Sequence, residues 1–170
     1  MKKSLIEVGI LCFTLVGYSQ DPVKAVKLEG VTISPILNHS YRNVVYVEAT
    51  PDFVKNLQTE AAVYDIRKDP EYYKSQSPYV VYFAQTNGSI IATYDPNGRV
   101  ISTLERFKDV TPPQPVRNSV YVKYPNWTMD KNRYMVTYYK GKRPIKIYQL
   151  KLRNGNVKKK LKVDADGKIL

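Results

Sequence analysis

Cysteine is almost missing from this chain. Of 170 residues only Cys12 is a cysteine, and histidine and tryptophan also occur once each, as His39 and Trp127. A single thiol forms no internal disulfide, and one histidine beside it cannot build a tetrahedral zinc site. No apolar run approaches the roughly 20 residues that a helix needs to cross a bilayer. The sequence holds no G-x-S-x-G, no phosphate-binding P-loop and no G-x-G-x-x-G, so the common signatures of hydrolases, nucleotide-binding loops and dinucleotide folds are absent.

The first 20 residues have the layout of a cleavable export signal. Lys2 and Lys3 precede Leu5 to Val16, a stretch broken only by Glu7, Gly9 and Thr14, and then come Gly17, Tyr18, Ser19 and Gln20. A basic start, a short apolar run and small or polar residues at a cleavage point are the three parts of a secretory signal. Cleavage is expected after Ser19 or Gln20. Cys12 follows Gly9, Ile10 and Leu11, without the small residue that lipid modification wants directly before the cysteine, so a lipoprotein is not expected. The mature chain then has no thiol at all. The expected location is the periplasm or the extracellular space, with no integral membrane segment.

Charge is unevenly spread. Residues 21–130 carry twelve Lys or Arg against twelve Asp or Glu, whereas residues 131–170 carry thirteen against two. The formal net charge of +12 therefore comes almost wholly from the last 40 residues.

Local patterns predict one α+β domain. Residues 21–50 read as a leader with an edge strand, from the β-favouring runs Val31–Ile33 and Val44–Val47. Thr50-Pro51 predicts a helix start, with threonine as N-cap, and Phe53, Leu57, Ala61 and Tyr64 follow on one helical face. Asp69-Pro70 closes that region. Strands are predicted at 79–86, 90–94 and 99–107, joined by Asn87-Gly88 and by the turn Asp95 to Gly98. A second unit repeats the plan. Pro112, Pro113 and Pro115 introduce a helix with Val116, Val120 and Tyr124, for which Thr111 and Gln114 have capping-box spacing, and Pro125 ends it. Strands are predicted at 127–140, 144–153 and 157–163, with Asn154-Gly155 as a hairpin turn, Asp164 to Gly167 as a second turn and a short strand at 168–170. The halves 51–110 and 111–170 share this order, which predicts a duplicated unit of helix plus antiparallel strands.

Several of these segments resemble a known family. Ala92-Thr93-Tyr94-Asp95 through Gly98, Phe107-Lys108-Asp109-Val110, Val116-Arg117-Asn118-Ser119-Val120, Tyr124-Pro125-Asn126-Trp127 and Lys162 to Lys168 are similar to the secreted PepSY-like proteins of Bacteroidetes, flavobacteria in particular. The resemblance covers roughly residues 53–170. It implies helices packed on one face of an antiparallel sheet, as in β-lactamase-inhibitor-like folds, and a fold that hosts protein-binding and inhibitory modules. It carries no catalytic residues to transfer. Some relatives bear the name of nicotinate-nucleotide adenylyltransferase, a chemistry that needs an H-x-G-H-like histidine pair. One histidine and an export signal argue against it.

Other candidate chemistry is thin. His39, in Asn38-His39-Ser40, has no ligand-spaced neighbours. The Asp95 and Asp164 segments have the look of calcium loops but lack the glutamate at loop position 12, where the first has Arg106. Asp65, Asp69 and Glu71 are interleaved with Arg67 and Lys68 as a solvated charged segment. No catalytic residue, metal or cofactor is expected.

The distinctive feature is a basic face. A period of two puts Lys158, Lys160 and Lys162 on one side of their strand, and Lys151 and Arg153 alternate with Leu150 and Leu152. Arg133 and Tyr139 alternate with Tyr134, Val136 and Tyr138. If these strands are neighbours, one face is core and the other shows Arg133, Lys151, Arg153, Lys158, Lys160 and Lys162 with Tyr139. Lys159 breaks the inward face, which predicts twisting or an edge position. Such a face is either solvated, with lysines guarding an edge, or a docking surface for something acidic. The expected function is a non-catalytic binding or inhibitory module acting on a protein or peptide through the sheet. The alternative is a basic structural protein associated with an acidic envelope component or other polyanion. Nucleic acid is disfavoured, for want of a recognition motif.

Overall fold

The computed structural model describes residues 37–70, 72 and 78–170. The expected export signal, the run Val31–Ile33 and Glu71 lie outside the described residues. Within them the order is helix α1 (His39–Val45), helix α2 (Asp52–Val63), a 3-10 turn at Ile66–Lys68, strands β1 (Tyr79–Gln85), β2 (Gly88–Tyr94) and β3 (Val100–Lys108), helix α3 (Gln114–Lys123), and strands β4 (Thr128–Tyr139), β5 (Ile145–Asn154) and β6 (Val157–Asp164). The strands form one six-stranded sheet in the order β1-β2-β3-β4-β5-β6, every pair antiparallel. The fold is α+β, as the local patterns predict.

Alternation makes one face of the sheet the core. Ile90, Ala92 and Tyr94 on β2, Phe107 on β3, Tyr134, Val136 and Tyr138 on β4, Tyr148, Leu150 and Leu152 on β5, and Leu161 and Val163 on β6 are all buried. The helices supply the covering layer. Val54, Leu57, Ala61 and Ala62 of α2 and Val116 and Val120 of α3 are buried in one cluster with the strand residues, and Gln58 of α2 is buried beside them. Rings run across the strands: Phe107 stacks with Tyr134, and Tyr134 with Tyr148 at 4.8 Å between centroids.

Several local expectations need correction. Val44 and Val45 belong to helix α1 and not to an edge strand. Tyr41 and Val45, four apart, both bury on its inner face, so tertiary packing overrides the β preference of the valines. Asn38 fixes that helix to the β2–β3 turn: its side-chain amide donates to the Gly98 carbonyl (3.1 Å) and its oxygen accepts from the Val100 N–H (2.7 Å). Thr50 does not cap α2; its hydroxyl donates to the Val47 carbonyl, and Pro51 holds the cap position. Thr111 and Gln114 form no capping box, because Pro113 is the N-cap and Gln114 already lies inside α3, where its amide turns to Asn118. The expected strand at 168–170 is reduced to a single bridge, Val163 to Ile169.

The hairpin turns shift by one residue. Gln85 pairs with Gly88, so the first turn is Thr86-Asn87 and Gly88 opens β2. Asn154 pairs with Val157, leaving Gly155-Asn156 as the second turn, with Gly155 at φ +55°. The two aspartate turns form as expected and share one geometry. The Asp95 carboxylate accepts from the N–H of Asn97 and of Arg99, and the Asp164 carboxylate accepts from Asp166 and Lys168 in the same way. Gly98 and Gly167 follow at φ +76° and +93°.

Candidate functional site: the open face of the sheet

No helix described here covers the second face of the sheet, and its register divides it into two chemically different ends. At one end, cross-strand rows run Val80–Thr93–Ser102–Tyr139 and Tyr82–Ile91–Leu104–Thr137–Ile145. Val80, Tyr82, Ile91, Leu104, Tyr139 and Ile145 are all exposed, Tyr82 by 65% and Leu104 by 42%. Single exposed apolar residues are ordinary, but Tyr82, Ile91 and Leu104 stand side by side in one cross-strand row, with Val80, Tyr139 and Ile145 on the same face.

At the other end the rows are cationic. Lys108–Arg133–Gln149–Lys162 is followed by Lys131–Lys151–Lys160 and then by Thr128–Arg153–Lys158. Between the ends lies Ala84–Ser89–Arg106–Met135–Ile147–Asp164. Neighbouring members of a row are about 5 Å apart and successive rows about 7 Å apart, from the strand spacing and the rise of two residues. None of these lysines or arginines takes part in an ion pair among the described residues.

Six of the seven residues expected on a basic face thus come together: Arg133, Lys151, Arg153, Lys158, Lys160 and Lys162. Tyr139 shares the face but not the end, six residues along β4 from Arg133, and belongs to the apolar rows. Lys159 lies on the core side opposite Leu152 and is accommodated because its ammonium sits 4.8 Å above the Tyr124 ring at the end of α3. Arg106, Lys108 and Lys131 were not foreseen. The first two sit on β3, where Leu104-Glu105-Arg106-Phe107 gives no alternation of apolar with polar, and Lys131 follows a bulge at Asp130 that resets the facing of β4. The apolar rows escaped for a related reason: β1 and β2 are apolar on both sides, so only their register shows which side is open.

Three depressions mark the face and its margins, the smallest, of about 250 Å³, beside Tyr82, Arg106 and the β1–β2 turn. One of about 450 Å³ opens on the cationic end, lined by Lys108, Lys131, Arg133, Lys151 and Lys160 with Gln149 and the single carboxylate of Asp109. A larger one of about 840 Å³ lies at the β4–β5 turn beside α1, where Lys142 and Arg143 are mixed with Asp164 and Asp166. Lys140 and Lys146 also line it, so cations outnumber its two carboxylates, but it mixes the two signs more evenly than the depression on the cationic end.

The core side holds a buried carboxylate, Glu105 on β3. It accepts hydrogen bonds from Tyr41 (2.8 Å), Gln58 (2.7 Å) and Thr103 (2.9 Å) and is 1% exposed. Burial pushes its carboxyl up from the ordinary range, and the three bonds pull against that. Lys146 lies in the same cross-strand row, beyond Val136, and donates to the Val44 carbonyl at 3.1 Å; burial pulls its ammonium down. Three hydrogen-bond donors and no route to the open face give Glu105 the role of joining α1 and α2 to β3. His39 is the exposed first residue of α1. Asp65 is held by Arg67 at 2.7 Å and Asp69 accepts from the Tyr64 hydroxyl.

No family model matches the chain, and no curated protein or solved structure matches it significantly.

Proposed function

We propose that this chain is an exported, non-catalytic binding module whose open sheet face docks an acidic protein or peptide. The observation that carries the reading is the pairing of exposed apolar rows with cation rows on one continuous surface. An interface of this kind gains affinity from the apolar centre, where Tyr82, Leu104 and Tyr139 lose water, while Arg106 and the rows beyond it steer a partner with carboxylates at its rim. A merely solvated face would not need Ile91 and Leu104 outward in the centre of the sheet. The resemblance to PepSY-like proteins belongs to the same reading. So does the common ancestry of α2-β1-β2-β3 and α3-β4-β5-β6, supported by the equivalent hydrogen bonds of the Asp95 and Asp164 turns.

The test is crosslinking capture from the native cell envelope at moderate salt, with crosslinks mapped. The expected result is a reproducible partner joined to β1–β4, lost with Tyr82→Ser/Leu104→Ser and kept with Val122→Ser, which removes an apolar group 84% exposed on α3. Equal recovery by all three proteins, or crosslinks confined to the helical side, would overturn the proposal.

A further inference from the structure

We propose a second site, formed by the cation rows alone, that takes a ligand bearing two or more tetrahedral oxyanions of the phosphate or sulfate class. Its floor is the depression of about 450 Å³ in which Lys108, Lys131, Arg133, Lys151 and Lys160 surround Gln149 against one carboxylate, Asp109.

The argument starts from a cost. Lys131 stands directly opposite Lys151, and Lys151 directly opposite Lys160. Like charges facing across an antiparallel pair are destabilising. Edge protection accounts for lysines on β6, the last strand of the sheet. It does not account for Lys108, Lys131, Arg133 and Lys151, which sit on the interior strands β3, β4 and β5. Solubility alone would be served equally by glutamate at alternate positions, and the carboxylates beside these rows, Asp109, Asp130 and Asp164, form no ion pair with their lysines or arginines among the described residues. A bound polyanion removes the repulsion.

The lattice also defines the ligand. Side chains rooted about 5 Å apart along a row and about 7 Å apart between rows can bring their charged ends onto several anionic groups of one ligand. Arg133 stands between Lys108 and Gln149 in its row, where its planar fork grips two oxygens of one group. Lys131, Lys151 and Lys160 in the next row act as point charges on a second group. A monovalent carboxylate would meet one row only. This site shares the cation rows with the proposed docking surface but needs none of the apolar rows, so Tyr82→Ser/Leu104→Ser should leave it intact.

The experiment is a calorimetric titration at about 150 mM salt with inorganic tripolyphosphate and, separately, with sucrose octasulfate. Saturable binding of one ligand per chain is expected for at least one of them, and which one binds assigns the site to phosphate or to sulfate esters. Lys131→Gln/Lys151→Gln is expected to weaken that binding at least tenfold. Lys142→Gln/Lys168→Gln, which removes the same charge elsewhere, should change it less than twofold. Thermal melts check that both variants fold. No saturable binding to either ligand would overturn the site, and so would equal loss in the two variants, since attraction would then follow net charge.

Discussion

Phe107 lies across the backbone at Gly88, so that a Cβ there would stand 2.4 Å from Phe107 Cδ1. The ring has nowhere to withdraw, because it packs on its other sides against Phe53 and Tyr134. Gly88→Ala is therefore expected to cost about 1–3 kcal/mol, as overpacking does, read from the denaturant midpoint; an unchanged midpoint would mean that the ring re-seats freely. Asn87-Gly88 reads in sequence as a turn needing a glycine, and a turn is there, but the glycine serves the strand behind it. Glu105 makes a different prediction. Its raised carboxyl means that the folded chain holds a proton which the unfolded chain, with a pKa of about 4.3, has already released. This contribution to stability is full below the unfolded value and is lost as pH rises through the folded one. Glu105→Gln removes the titration, and Gln58, whose Oε1 lacks a partner among the described residues, can turn its amide over to accept from the new amide. The thermal midpoint of the variant should lose the decline with pH that Glu105 gives the parent. Parallel curves would show that Glu105 does not titrate there.

Helix α1 is the element that the sequence hid. The valines at Val44, Val45 and Val47 favour a strand, while the helical signal consists of only two residues, Tyr41 and Val45, whose partners lie on distant segments. Asn38 carries the anchoring: without its side chain the Val100 N–H and the Gly98 carbonyl both lose a partner. Asn38→Ala should cost about 1–3 kcal/mol and should speed hydrogen exchange at the Val100 amide first, ahead of the amides of β5. Uniform acceleration across the sheet would place the effect elsewhere. Strand β5, β4 beyond its bulge and β6 apart from Lys159 were legible because apolar and polar residues alternate there. In β1 and β2 they do not, and β3 and β4 carry bulge-related shifts of register, so half of the open face was concealed while the cationic half was largely visible.

At the level of the whole molecule, the charge gradient along the chain becomes a gradient across one surface. Lys151→Gln should raise the melting temperature at low ionic strength by relieving its repulsion from Lys131 and Lys160, with the gain shrinking as salt screens the pairs. Melting that drops at low salt would mean that the three lysines are not repelling one another. The sheet has a further property that follows from its order. Each strand lies beside the one made just before it, so β-pairing can advance one hairpin at a time, with only α3 interposed between β3 and β4. Contacts close in sequence assemble fast. During that growth the newest strand is always the open edge, briefly able to recruit another chain. The growth ends at β6, where Lys158, Lys159 and Lys160 make the final edge a poor template for anything further.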